Sequence, residues 1–111
     1  MQAIFPVERL GLGTRADIAQ NRAVVREFSR RGLTDEAIGE AFASPLFTQA
    51  VEAGLPTHRP LNRALAEAEF RQRVTEAEGL MAAGLTQESR ERFRQAETAR
   101  RAAGLTQEQA R

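Results

Sequence analysis

The sequence predicts an all-α fold, and three observations carry that expectation. No segment shows the alternating β-branched pattern of a strand. Glycines and prolines punctuate the 111 residues at helix-length intervals. The segments between them repeatedly open on a threonine placed to cap and close on a glycine placed to stop. The expected architecture is a small helical core of about four helices (residues 14–83), preceded by an apolar irregular N-terminal arm (residues 1–13) and followed by a polar C-terminal helical arm (residues 84–111).

Taken in order, the lead "AIFPVERLGL" groups Ile4, Phe5, Val7, Leu10 and Leu12 around Pro6, which disfavours a continuous helix. Thr14 is a good N-cap, with Asp17 at the third helical position to return the capping bond. The helix expected over 15–31 sets Ile18, Val25 and Phe28 near one face and stops at Gly32. Thr34 caps the next one, and Leu33 with Ile38 forms a hydrophobic staple across the cap. Pro45 ends that helix near Ser44 and opens a third over 46–53, closed by Gly54. "LPTHRP" is a connection in which His58, the only histidine, reads as an exposed linker residue with no acid beside it.

Pro60 then opens the longest stretch, residues 61–83, about 35 Å at the standard rise. Phe70, Val74, Ala77 and Met81 recur there at spacings of four, three and four, a seam for another helix. Glu67 with Arg71 and Glu69 with Arg73 are expected as pairs on the exposed side, and Gly79, on the other side from the seam, permits a close approach or a bend. Thr86 caps a further helix to about residue 103. Its only large apolar residues are Phe93 and, past its end, Leu105, so such a helix buries little alone. "AAGLTQE" occurs at residues 82–88 and again at 102–108, with "GLTDE" at 32–36 a looser copy: each supplies a stop, an apolar residue, a threonine and first-turn acids.

Composition excludes several classes of function. Cysteine is absent, so there is no disulfide framework, thiolate metal site or cysteine nucleophile. No apolar run approaches membrane-span length, and the start lacks a basic-then-apolar leader, so a chain in the cytoplasm, or in a virus particle assembled there, is expected. Every basic residue is Arg, and charge is uneven. Residues 1–32 hold six Arg against three acids, residues 33–57 four acids and no base, residues 58–87 four of each, and residues 88–111 six Arg against four acids.

Motifs that carry chemistry are scarce. "GLGTRA" at 11–16 loosely fits a dinucleotide fingerprint, but the strand and parallel sheet that such a site needs are missing from the pattern. A lone histidine and scattered acids give neither a metal site nor an acid/base pair, so no catalytic residue, cofactor or metal is expected. The terminal "GLTQEQAR" resembles the opening of the lambda-repressor-like helix-turn-helix family, over residues 97–111. The recognition helix that carries the base contacts in that family has no counterpart after it. A second helix-joint-helix, residues 32–54, has "PLFTQAVEAG" as its reading helix, without Arg or Lys and with Glu52, which phosphates would repel. Arg22, Arg26, Arg30 and Arg31 could add non-specific contact only.

The expected function is therefore a non-catalytic structural or assembly protein working through helix-mediated contacts with other protein subunits, in an oligomer or larger assembly such as a phage or viral particle. The residues expected to make those contacts are Ile4, Phe5 and Leu10 on the N-terminal arm, Phe70, Val74 and Met81 in the seam, and Phe93 on the C-terminal arm. The alternative is a small helix-turn-helix-like DNA-binding regulator; sequence-specific DNA binding is the weaker expectation of the two, and no membrane partner is expected.

Overall fold

The computed structural model describes residues 15–105, and among them are five α-helices and no strand: α1 (Arg15–Arg30), α2 (Asp35–Phe42), α3 (Pro45–Glu52), α4 (His58–Ala82) and α5 (Thr86–Ala102). The chain divides into two compact units, Met1–Leu65 and Ala66–Arg111, and the division falls inside α4. The N-terminal arm and the expected cap Thr14 lie outside the described residues, as do residues 106–108 of the last copy of the repeated joint.

The helix stops follow one local rule. Gly32, Gly54, Gly84 and Gly104 all have positive φ, between 68° and 92°, which a side chain would disfavour. Around each, the leucine that follows donates its N–H to a carbonyl five residues back, as in Leu33 to Phe28 (3.1 Å) and Leu85 to Leu80 (2.9 Å). The glycine itself reaches three residues back, as in Gly84 to Met81 (3.0 Å). This is the Schellman arrangement, which satisfies carbonyls that a helix end would otherwise leave open. In the last copy Arg100 also donates to the Leu105 carbonyl while gripping Glu97 with two nitrogens.

In the first unit α1 packs on α2 and α2 on α3. Thr34 caps α2, its side chain accepting from the Ala37 N–H at 3.2 Å, and Leu33 and Ile38 are both buried, as a hydrophobic staple requires. Ser44 caps α3, and Pro45 occupies its first turn, where a missing N–H costs nothing. Phe28, Leu33, Ile38, Phe47, Leu61 and Leu65 supply the core, and Phe42 meets Phe47 edge to face at 5.1 Å. Each such side chain contributes about 1.5–3 kcal/mol on burial. Arg31, just past the end of α1, lies over the Phe28 ring at 4.0 Å and so covers part of the core edge.

The buried face of α1 is not the apolar one expected. Asp17, Asn21 and Phe28 are buried, while Ile18 and Val25 are half-buried. The helix turns two polar residues inward because they complete the start of α4.

The second unit is a helical hairpin, the last part of α4 and α5 joined at Gly84. Its buried apolar residues are alanines, among them Ala66, Ala77, Ala96, Ala99 and Ala103. Ser89, fully buried, donates its hydroxyl to the Ala77 carbonyl at 2.9 Å and so fixes the register of one helix against the other. Thr86 does not cap α5: Leu85 holds the cap position, and no side chain makes the capping bond. Gly79 needs no close approach, since a Cβ there would meet no atom within 4 Å.

Candidate functional site

Two places carry more than the packing of ordinary helices. The first is a polar cluster in the first unit, centred on Asp17. Helix α4 begins at His58, two residues earlier than Pro60 suggested, with the Thr57 carbonyl accepting its first helical bond from Leu61 N–H at 2.9 Å. Pro60 then sits at the third helical position, where a proline is tolerated because first-turn N–H groups have no helical partner. It also leaves Thr57 with no N–H at that position to cap, and the hydroxyl turns elsewhere.

It turns to α1. The Thr57 hydroxyl donates to Asp17 Oδ2 at 2.9 Å and accepts from Asn21 Nδ2 at 2.8 Å. The Thr57 N–H reaches both Asp17 oxygens at 3.2 Å, and the His58 N–H reaches Oδ1 at 3.4 Å. His58 Nδ1 stands 2.8 Å from the same Oδ1; an ionised carboxylate only accepts, so that nitrogen carries the proton. The sequence reading of His58 as an exposed linker residue without an acid is thus corrected: it is half-buried, and its acid is 41 residues back. The bond that Asp17 is expected to return to Thr14 falls outside the described residues; within them, its carboxylate caps the start of α4.

Burial of the Asp17 carboxyl raises its pKa, but the bonds from the His58 and Thr57 side chains and from their amides outweigh this, so the carboxyl titrates below its ordinary value. A carboxylate at a helix N-terminus is also favoured by the helix dipole. The arrangement binds α1 to the start of α4. It does not resemble a nucleophile and its base, because the buried Thr57 hydroxyl donates to Asp17 and not to His58. One atom is left over: Asn21 Oδ1 is buried with no hydrogen-bond partner.

The second place is the hairpin. Ala77 and Ser89 mark the line along which α4 and α5 face each other. On one flank of that line lie Arg73, Glu76 and Arg92: Arg73 Nη1 meets Glu76 at 2.9 Å, and Arg92 Nε approaches Glu76 at 4.0 Å. Glu69, 3.8 Å from Arg73, joins them, and both are buried. The Glu69 and Arg73 pair therefore lies inside, not on the exposed side where its spacing alone placed it. Glu67 and Arg71 do pair in the expected way, at 2.6 Å, with Arg71 exposed.

At about 100° per residue, Phe70, Val74 and Met81 fall on the other side of Ala77 from Glu76, and Phe93 on the other side of Ser89 from Arg92. The four residues share the second flank of the hairpin. Phe70 and Val74 are half-buried, Met81 is 48% exposed and Phe93 41%. Four of the expected contact residues are thus brought together, with Ala77 alone of the seam fully buried. Ile4, Phe5 and Leu10 lie outside the described residues.

Sequence reasoning missed Asn21 and Thr57. The only signal for them was a pair of polar residues, Asp17 and Asn21, one helical turn apart on a helix with few large apolar side chains. Among the described residues no cluster of His, Cys, Asp and Glu could hold a metal ion, and no helix is long and apolar enough to cross a membrane. Comparison with protein families, with curated proteins and with solved structures finds no match, so the function must be argued from these two places alone.

Proposed function

We propose that this chain is a non-catalytic structural protein that works through helix-mediated contacts with other protein subunits, the apolar flank of the hairpin being the contact face. One observation carries the reading: Phe70, Val74, Met81 and Phe93 share a flank of a hairpin whose own buried apolar side chains are alanines, and two of the four are more than two-fifths exposed. Large apolar side chains contribute about 1.5–3 kcal/mol each when fully covered, so this flank gains most from a partner. Ile4, Phe5 and Leu10 would add a second contact from the N-terminal arm. The division into a core over 14–83, with an arm on either side that contacts neighbours, belongs to the same proposal.

The test compares the full chain with Phe93→Asp, each isolated under native conditions from cells that express it. Refractive-index detection is needed because the chain has neither Trp nor Tyr. Loss of the complex in the variant, with its thermal transition nearly unmoved, is the expected result. Loss of the complex together with the fold would make Phe93 a core residue and sink the reading; so would a complex indifferent to the substitution.

A further inference from the structure

We infer that the partner covering the apolar flank is a second copy of this chain, packed on the first about a two-fold axis parallel to the helices to form a four-helix bundle. The inference rests on the proposed reading of that flank as a contact face, and charge is what selects the occupant. Most charged residues bordering the flank are already paired within the chain: Arg71 with Glu67, Arg94 with Glu91, and Arg101 with Glu97. Glu78 on α4 and Arg90 on α5 are different. Both are exposed, and neither makes an ion pair among the described residues.

Their positions match a two-fold axis. Glu78 follows Ala77 and Arg90 follows Ser89, and the Ser89 to Ala77 bond sets those two residues level. Glu78 and Arg90 therefore lie within about one residue's rise of a common height, on opposite edges of the same flank. An axis parallel to the helices lays α4 of one copy over α5 of the other at unchanged height. Each Glu78 then meets the Arg90 of the second copy, and the pair forms twice. The same operation sets Phe93 level with the second copy's Val74, because each lies about one turn from the Ser89 and Ala77 level on the side away from the Gly84 joint. Every neighbouring pair of helices in the resulting bundle is antiparallel, the arrangement common in such bundles. An axis lying across the helices would instead set Arg90 against Arg90 and Glu78 against Glu78. A self-complementary patch of this kind is what an isologous dimer requires.

Charge reversal tests the pairing on the purified full chain. Wild type should run at twice the 12.3 kDa chain mass in light scattering. Glu78→Arg alone and Arg90→Glu alone each create two like-charge contacts and should weaken association by about 10- to 100-fold. Each should then appear at the single-chain mass with unchanged far-UV circular dichroism. Mixing the two variants one to one restores both opposite-charge contacts and should restore the doubled mass. A wild type that stays at the single-chain mass at every concentration overturns the inference, while a Phe93-dependent complex with a different protein would leave the contact-face reading standing. A dimer that survives both reversals, or a mixture that stays monomeric, overturns the bundle geometry. Indifference of all association to Phe93→Asp would remove the contact face itself.

Discussion

The same short joint occurs in both units, and the copies at residues 32–34 and 84–86 behave differently. At residues 32–34 the glycine turns the chain, Leu33 is 4% exposed, and Thr34 caps α2. At residues 84–86 the glycine turns the chain in the same way, but Leu85 is 46% exposed and Thr86 makes no capping bond. The backbone part of the device is local and works wherever Gly-Leu follows a helix. The side-chain part needs neighbours. Phe28, Ile38 and Phe47 are among the large buried side chains of the first unit, whereas the alanines of the second leave little apolar surface to cover a leucine. The first unit is thus stabilised by burial of large groups and the second by packing of alanines around the Ser89 bond, leaving Met81, Leu85 and Phe93 exposed.

That contrast can be broken most forcefully at phenylalanine. Phe47→Ala should cost about 3–5 kcal/mol, because a buried ring leaves a cavity, whereas Phe93→Ala in the isolated chain should stay within about 1 kcal/mol. Urea unfolding followed by far-UV circular dichroism measures both. Similar costs at the two sites would mean that the second unit has a core of the same kind as the first, and that Phe93 belongs to it.

A middle-sized effect is expected at the polar cluster, which has no counterpart in the hairpin. Asp17→Ala removes the carboxylate that accepts from Thr57 and His58 and should cost about 2 kcal/mol at neutral pH. The pH dependence follows from the direction of the Asp17 shift. Its folded-state pKa lies below the ordinary carboxylate value, so the unfolded chain takes up the proton first as pH falls. The stabilisation is fully present above about pH 4, the ordinary range for Asp, and is lost as pH falls through the lower folded-state value. Wild type should therefore lose more stability than Asp17→Ala between neutral pH and about pH 2–3. Parallel pH profiles for the two proteins would count against the cluster as the clamp between α1 and α4.

The smallest expected difference is between the two threonines. Thr34→Ala should cost about 1 kcal/mol, the usual worth of an N-cap, and Thr86→Ala should change the unfolding midpoint little. An equal cost at Thr86 would mean that its hydroxyl caps α5 in solution, and the two joints would then differ only in the burial of their leucines.

Much of the local structure is legible in the residues. Gly32, Gly54 and Gly84 stop helices because positive φ is open to glycine and closed to most other residues. Pro45 and Ser44 open α3, and Thr34 opens α2, through bonds to N–H groups two or three residues away. Interactions of that reach depend on chain geometry that neighbours in sequence already fix. The apolar spacing on α4 and the position of Phe93 likewise placed four candidate contact residues on two helices, since 3.6 residues per turn converts spacing into direction.

What spacing could not decide is which direction faces inward. Glu69 and Arg73 form the same i, i+4 pair whether exposed or buried, and only tertiary packing turns them inside. Spacing gives Asp17 a use at its own helix start but says nothing of Thr57 and His58, which it meets across 40 and 41 residues. A threonine before a proline-bearing helix start reads as part of a connection until α1 is laid beside it. The sequence by itself determined where this chain's helices stop, because the glycine turn is settled within a few residues. The tertiary structure alone decided which polar groups are buried and which apolar groups stay at the surface, because burial is a property of what lies across the gap and not of what comes next in the chain.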